Sequence, residues 1–266
     1  MKTNKNLKEV VREKYAQVIE SADKKDSLCT CCPPDSTADN PVFCEDYSKL
    51  DGYNKDADLS LGCGIPTEFA QIKEGDIVLD LGSGAGNDCF VARAIVGDKG
   101  KVTGLDFTEE MIEKARGNSN KLGYQNIEFV CGDIEDIPLP SESINVVISN
   151  CVLNLVPDKE KAFSEIYRVL KSYSHFCISD IILEGSLPEG IKNETELYAG
   201  CISGALQLND YLEIVQKAGF KNVEVLAKKE IILPENLLLK YLTKQELENY
   251  KNNNTGIFSA TIFGKK

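Results

Sequence analysis

The 266-residue sequence contains no tryptophan and a single histidine, His175. A lone histidine on the approach to an apolar stretch reads as structural, and it leaves little support for histidine-based general-base catalysis. Long hydrophobic runs are also missing: nowhere does the chain approach the roughly 18 consecutive apolar residues that a membrane-spanning helix needs. Met1 to Val10 is rich in Lys and Asn and has no apolar core, so no secretory leader is expected. A basic surplus is absent as well, with 30 Lys and Arg against 42 Asp and Glu, a formal charge of −12. That balance argues against a nucleic-acid backbone or an anionic membrane as partner. The short pairs Lys228-Lys229 and Lys265-Lys266 read as solvated surface, and the chain shows neither an internal repeat nor a low-complexity tract.

Cysteine, by contrast, is plentiful at ten. Without an export signal, cysteines serve as small buried hydrophobes, metal ligands or reactive thiols more often than as disulfides, and a cytoplasmic protein is expected. Cys29, Cys31 and Cys32, with Cys44 further on, lack the paired C-x-x-C spacing of a zinc ribbon or finger. Cys89, Cys131 and Cys177 fall in predicted core helix or strand ends and read as packing residues. Cys63, Cys151 and Cys201 differ: Gly62-Cys63-Gly64, Asn150-Cys151 and Gly200-Cys201 each mark a point where the backbone is expected to change direction. Three thiols without a histidine cluster suit a soft, thiophilic ion.

A helical period over residues 7–20 predicts an N-terminal helix, and the turn signals across residues 26–62 predict a long loop. From Asp76 onward, strands at Ile77–Leu81, Lys101–Asp106, Ile127–Val130, Ile144–Ser149 and Phe176–Ile181 alternate with helices. Thr108 is the expected cap of one of these helices. This alternation predicts an α/β fold, a doubly wound and mainly parallel seven-stranded sheet. Later helices are expected over Glu194–Ala205, from a cap at Asn209 to Ala218, and over Leu237–Tyr250. Two late strands, Lys221–Ala227 and Thr255–Phe263, are expected to pair antiparallel at the edge. The organisation expected is an N-terminal helix and cysteine-rich loop over 1–70, a nucleotide-binding core over 71–185, and a C-terminal part over 186–266 that completes the sheet and covers the substrate site.

Between the first strand and the next helix lies Asp80-Leu81-Gly82-Ser83-Gly84-Ala85-Gly86, a loop whose glycines let the backbone turn tightly and a ligand approach it. Asn87 stands where a dinucleotide fingerprint wants Gly or Ala, and the glycines fall as G-x-G-x-G. After Val78-Leu79-Asp80-Leu81, that spacing resembles class I methyltransferases that use S-adenosylmethionine. Asp106, ending the second strand, suits two ribose hydroxyls, a feature that nicotinamide dehydrogenases share. The resemblance gives Asp133, in Gly132-Asp133-Ile134, the edge of the adenine. Met111, one turn into the following helix, packs either on that adenine or in the core. The cofactor set expected is Asp80, Gly82, Ser83, Gly84, Gly86, Asp106, Phe107, Met111, Asp133, Ile134 and Asn150.

Three further segments narrow the likeness. Asp56 to Pro66, around Gly62-Cys63-Gly64, resembles the opening segment of arsenite S-adenosylmethionine methyltransferases. Ser149-Asn150-Cys151-Val152-Leu153-Asn154-Leu155-Val156 and Tyr198-Ala199-Gly200-Cys201-Ile202-Ser203-Gly204-Ala205 continue it, from about Val11 to Phe220 in all. Lys171-Ser172-Tyr173-Ser174 departs from it, standing where that family has a Lys-Pro-Gly-Gly turn. The resemblance implies that Cys63, Cys151 and Cys201 bind trivalent arsenic as arsenite or methylarsenite. It also implies that Cys31 or Cys32 joins Cys63 in returning electrons, with a thiol reductant of glutathione or thioredoxin type to reset the pair. Two other readings stay open from the residues: a methyltransferase of an organic small molecule with structural cysteines, and a non-catalytic arsenic- or metal-binding protein on the same fold.

Overall fold

The computed structural model describes residues 4–23, 45–192, 204–233, 235–252 and 256–266. Cys29, Cys31, Cys32, Cys44 and Cys201 lie outside them, as does all but the end of the helix expected over Glu194–Ala205. Eight strands form one sheet: β1 (Ile77–Leu81), β2 (Lys101–Asp106), β3 (Ile127–Cys131), β4 (Ile144–Asn150), β5 (Leu170–Glu184), the two-residue β6 (Leu206–Gln207), β7 (Lys221–Glu230) and β8 (Gly256–Lys265). Their order is β3-β2-β1-β4-β5-β8-β7, with β6 on β5. The pairs from β3 to β5 are parallel, and β8 runs antiparallel to both β5 and β7. This is the doubly wound sheet that the strand–helix alternation predicts, with the two late strands closing one edge; the short β6, paired with β5, makes eight strands where seven were expected.

Helices α1 (Asn4–Asp23), α2 (Pro66–Phe69), α3 (Asn87–Val96), α4 (Glu109–Leu122), α5 (Lys159–Val169), α6 (Glu189–Lys192), α7 (Leu208–Lys217), α8 (Glu235–Leu238) and α9 (Lys244–Asn252) complete the described elements. The central strands are mainly apolar because helices cover both faces, with Asp80 and Asp106 near the carboxyl ends of β1 and β2 as buried exceptions. Leu79, Leu81, Leu105 and Ile148 are wholly buried, each worth about 1.5–3 kcal/mol of burial. One apolar cluster joins β1, β4 and β5 to α5 and α7, and a second joins the sheet to α3, α4 and residues of α1.

The single helix expected over Leu237–Tyr250 is two, α8 and α9, with a break between them, and three further local readings change. Thr108 occupies the cap position of α4, but its side chain makes no capping bond to the helix; its hydroxyl goes to Asp106 instead. Asn209 falls inside α7, which starts at Leu208 directly after β6. β5 begins at Leu170, not Phe176, because Lys171–Ser174 bulges out of the β4 pairing while the strand continues on both sides. At the bulge Tyr173 takes φ 65 and is 96% exposed. The segment that departs from the Lys-Pro-Gly-Gly pattern thus still supplies a left-handed residue, without glycine.

Candidate active site

The sheet order reverses at β1, and the carboxyl ends of β1, β2 and β4 open there onto a cavity of about 960 Å³ that is continuous with solvent. The glycine loop forms its floor. Gly82 and Gly84 have φ of 70 and 51, and a Cβ on Gly82 would stand 2.4 Å from Val152. The N–H groups of Gly82 and Ser83 both reach the Leu105 carbonyl, at 2.7 and 3.0 Å, binding the loop to β2. Ser83 Oγ and Asn87 Oδ1 are buried without a protein partner, and both residues line the cavity. Gly86 stands apart from the lining. It caps α3 at φ 99, with the rings of Phe90 and Phe129 3.0 Å from where its Cβ would be, so both conformation and packing favour glycine there.

Asp106 is buried, and its two oxygens accept from the N–H groups of Gly84 (3.0 Å) and Thr108 (2.9 Å). Phe107, Met111 and Ile134 line the cavity beside it. Met111 is 1% exposed and belongs to a core cluster as well, so both of its sequence readings apply. Asp133 lies off the lining: Lys8 of α1 holds its Oδ2 at 2.6 Å, and its Oδ1 accepts the Glu135 N–H at 3.0 Å. Ile134 is thus the part of Gly132-Asp133-Ile134 that faces the cavity. The physical reason is α1, whose lysine captures the carboxylate expected at the adenine edge.

The cavity is acidic. Asp58, Asp80, Asp88 and Asp106 line it, and no Lys, Arg or His does among the described residues. Burial raises the pKa of Asp80 well above the usual carboxylate range, and the nearby Asp88 adds repulsion. Burial pushes Asp88 to about 6, against hydrogen bonds from Asn150 and Tyr47 that favour its charged form. Cys89, expected as simple packing, donates its S–H to Asp80 Oδ2 at 3.3 Å. A ligand with positive charge and ribose-type hydroxyls complements these groups. A carboxylate whose folded-state pKa exceeds its unfolded value adds stability below the unfolded value, and loses it as pH rises through the folded one. For Asp88 that window runs from 3.8 to about 6. Asp80→Asn is therefore expected to raise the thermal midpoint of the ligand-free protein at pH 7.5 while weakening cofactor binding. Scanning fluorimetry with and without S-adenosylhomocysteine reads both, and a lowered ligand-free midpoint would contradict the assignment.

Cys151 lines the cavity, whereas Cys63 lies off its lining, next to Gly62, which is on it; the two cysteines are 6% and 1% exposed. They share one apolar cluster with Val11 of α1, Leu155, Ile181 and Leu183 of β5, and Leu233, Leu242 and Ile257 from the C-terminal part. Cys151 follows β4 at φ 61, a left-handed conformation uncommon for a residue with a Cβ, and its N–H donates to the Ser179 carbonyl at 2.7 Å. Asn150 ties the two segments together, its Oδ1 accepting from the N–H groups of Cys63 (3.0 Å) and Gly64 (3.3 Å). Both thiols act electrostatically on the phenol of Tyr211, which lies 3.4 Å from the buried Asp180; burial pushes that carboxyl up to about 7. Cys177 is wholly buried and its thiol is pushed up to about 12. Cys131 corrects its packing assignment: it ends β3 exposed, with Sγ 3.9 Å from the Phe107 carbonyl. His175 is structural as read, its Nε2 2.6 Å from the Ala70 carbonyl.

Sequence reasoning missed Val11, Tyr15, Tyr47, Asp58 and Asp88, all on the cavity lining. Asp88 lies two residues past the glycine loop and was the legible one. Val11 and Tyr15 show a helical period but carry nothing to say where that helix docks.

The sheet order, glycine loop and acidic cavity define a class I methyltransferase fold, and residues 72–219 match a family model described as a methyltransferase domain. An arsenite methyltransferase of Halobacterium salinarum is 40% identical over 236 residues, covering 84% of this chain and 59% of that protein. One of Aquipseudomonas alcaligenes is 30% identical over 244 residues, covering 89% and 68%. Among solved structures, an arsenic (III) S-adenosylmethionine methyltransferase from Chlamydomonas reinhardtii superposes with a TM-score of 0.64 at 36% identity, covering 77% of this chain and 67% of that one. The chain belongs to the arsenite methyltransferase family. It spans about three fifths of the length of the Halobacterium relative.

Proposed function

We propose that this protein transfers the methyl group of S-adenosylmethionine to trivalent arsenic held by cysteine thiolates, giving methylated arsenicals. One observation carries the reading: Cys63 and Cys151, 88 residues apart in the sequence, share one apolar cluster, and Cys151 with Gly62, the neighbour of Cys63, lines an acidic cavity bounded by the glycine loop. Asp106 is suited to the ribose hydroxyls, and Asp80 and Asp88 offer a negative field to a sulfonium and an ammonium. When bound, S-adenosylmethionine supplies a methyl group on positively charged sulfur that an electron pair on arsenic can take. Each thiol that binds arsenite forms one arsenic–sulfur bond and releases one hydroxyl as water. Cys201 is the third ligand on this reading. A dry, apolar surround favours these neutral arsenic–sulfur bonds and keeps water from the methyl group. No general base is required, because the nucleophile is a lone pair; this agrees with His175 being engaged with Ala70.

Methylation leaves arsenic formally oxidised by two electrons. Cys63 with Cys31 or Cys32 returns the pair by forming a disulfide, and an external thiol of glutathione or thioredoxin type reduces that disulfide again. Leu187, Ile191, Leu238 and Leu247 of the C-terminal part share the cluster of Cys63 and Cys151, which supports a covering role for that part. A cytoplasmic setting suits reduced thiols. Purified protein incubated with arsenite, methyl-labelled S-adenosylmethionine and a thiol reductant is expected to yield labelled methylarsenicals. If no label reaches arsenic while the cofactor still binds, the arsenic reading is wrong; a methyltransferase of an organic molecule would show that result, with no change in thermal stability on adding arsenite.

A further inference from the structure

Between the glycine loop and the Gly62–Gly64 segment lies a buried hydrogen-bonded group that the proposed chemistry leaves unused. Tyr47 is 5% exposed, and its hydroxyl stands 2.8 Å from Asp88 Oδ1, 3.0 Å from the Gly64 carbonyl and 2.8 Å from Asn150 Nδ2. Asn150 Nδ2 in turn lies 2.8 Å from the Gly64 carbonyl and 3.2 Å from Asp88 Oδ2. On its other side, Asn150 Oδ1 receives the N–H groups of Cys63 and Gly64. Asp88 therefore faces the cofactor cavity and, through two side chains, the backbone of an expected arsenic ligand.

Counting protons shows that this group has two arrangements. The Tyr47 hydroxyl has one proton and two acceptors within reach. The Asn150 amide has two protons and three. With Asp88 ionised, Tyr47 donates to Oδ1, and the Asn150 amide donates to the Gly64 carbonyl and toward Oδ2. The amide is then pinned, and its oxygen is aimed at the Cys63 and Gly64 N–H groups. When Asp88 carries a proton it becomes a donor to Tyr47, whose own proton turns to share the Gly64 carbonyl with Asn150, and the bond from Asn150 to Asp88 is no longer strengthened by a full negative charge. The amide is then held less firmly, and with it the acceptor of the Cys63 and Gly64 N–H groups.

We propose that Tyr47, together with Asp88 and Asn150, is a positioning residue that couples positive charge in the cofactor cavity to the order of the Cys63 segment. The inference rests on the reading that the cavity takes S-adenosylmethionine. The titratable groups facing Asp88 are Asp58 from the preceding loop, Asp80 from β1, Cys89 beside it in α3, and Tyr47; Asp106 from β2 acts on Asp80, and Cys63 on Tyr47. None of them supplies positive charge. A cation in the cavity supplies what they lack, holds Asp88 ionised and so fixes the thiol-bearing segment before arsenic arrives. The free protein, with Asp88 near 6, is poised between the two arrangements close to neutral pH.

Backbone amide hydrogen exchange at Cys63 and Gly64 reads the latch without any turnover. Protection factors, corrected for intrinsic exchange, are measured at pH 5.5 and 7.5 with no ligand, with S-adenosylmethionine, and with S-adenosylhomocysteine, which lacks the sulfonium charge. In the parent protein at pH 5.5, S-adenosylmethionine is expected to raise protection at these amides at least about fivefold over the analogue that keeps the ammonium but lacks the sulfonium, the lower range of an allosteric coupling. Tyr47→Phe keeps the ring, and in it that difference is expected to vanish. Asp88→Asn, which cannot ionise, gives an independent check: its protection is expected to be the same at both pH values. A role confined to packing would lower protection in all conditions alike and leave the pH dependence in place. The proposal is overturned if the ligands with and without the sulfonium protect equally in the parent, if neither binds, or if Tyr47→Phe retains the parent's difference. Should the latch respond to the cofactor while arsenite is not methylated, the arsenic reading fails and this inference stands.

Discussion

Changing Cys63 or Cys151 to serine is expected to reduce arsenic methylation at least about a hundredfold, with cofactor affinity within about threefold of the parent. Serine keeps the size and the Cβ, so the left-handed turn at Cys151 (φ 61) is no more strained than before. What changes is the ligand atom: a hydroxyl oxygen is a hard donor that forms a readily hydrolysed bond to arsenic, where sulfur forms a soft and persistent one. The new hydroxyl also enters an apolar cluster, at a cost of about 1–3 kcal/mol when it finds no partner, so thermal midpoints are needed beside the rates. Cys177→Ser is the control. Its thiol is wholly buried in the sheet and pushed up to about 12, which keeps it protonated at neutral pH, and methylation per folded molecule is expected to stay near the parent rate. Single-turnover methylation with saturating S-adenosylmethionine, together with calorimetric binding of S-adenosylhomocysteine, separates the two effects. Parent-rate methylation by Cys151→Ser would remove that residue from the ligand set.

Asp106→Asn is expected to weaken cofactor binding by about 30- to 1,000-fold, the size of effect seen when a buried polar contact is left unpaired. Each Asp106 oxygen already accepts one backbone N–H, from Gly84 at 3.0 Å and from Thr108 at 2.9 Å. A carboxylate oxygen retains further capacity to accept from a ribose hydroxyl, so one side chain shapes the glycine loop and can read the ligand as well. An amide presents only one oxygen, and its NH₂ group would face a backbone N–H. Both the loop and the ribose contact then suffer. Asp133→Asn makes the informative contrast. Asp133 is held by Lys8 and the Glu135 N–H, and its affinity change is expected to stay within about threefold, comparable to a partly exposed ion pair. Calorimetric titration of both variants decides the matter; equal losses would return Asp133 to the cofactor set.

These contrasts mark what was legible. β1, β2 and β4 appear within a residue of where apolar runs put them, because strands buried on both faces carry their own signature. The glycine loop was equally plain, since left-handed turns at Gly82 and Gly84 require a residue type visible in one dimension. Side-chain partnerships were not. Thr108 has the type and place of a helix cap, yet its hydroxyl goes to Asp106. Asp133 has the position of a nucleotide reader, yet α1 takes its carboxylate. Cys131 alternates with core residues along β3, yet it ends the strand in solvent. Thr108 meets a partner only two residues away, but for Asp133 the outcome depends on which group of a distant element arrives within 3–4 Å, and no local pattern records that.

By itself the sequence determined the strand–helix alternation, the glycine loop, the acidic carboxylate at the end of β2 and the three cysteine segments, because backbone conformation and burial impose residue types locally. Only the tertiary structure decided that Cys63 and Cys151 share one apolar cluster, that Asn150 ties their segments together, and that Tyr47 and Asp88 extend that tie to the cofactor cavity. Asn150 and Cys63 are 87 residues apart, and their contact exists because the carboxyl end of β4 lies beside β1 and β5 in the finished sheet. Contacts of that range follow from the packing of whole elements, which a chain specifies collectively and no single motif spells out.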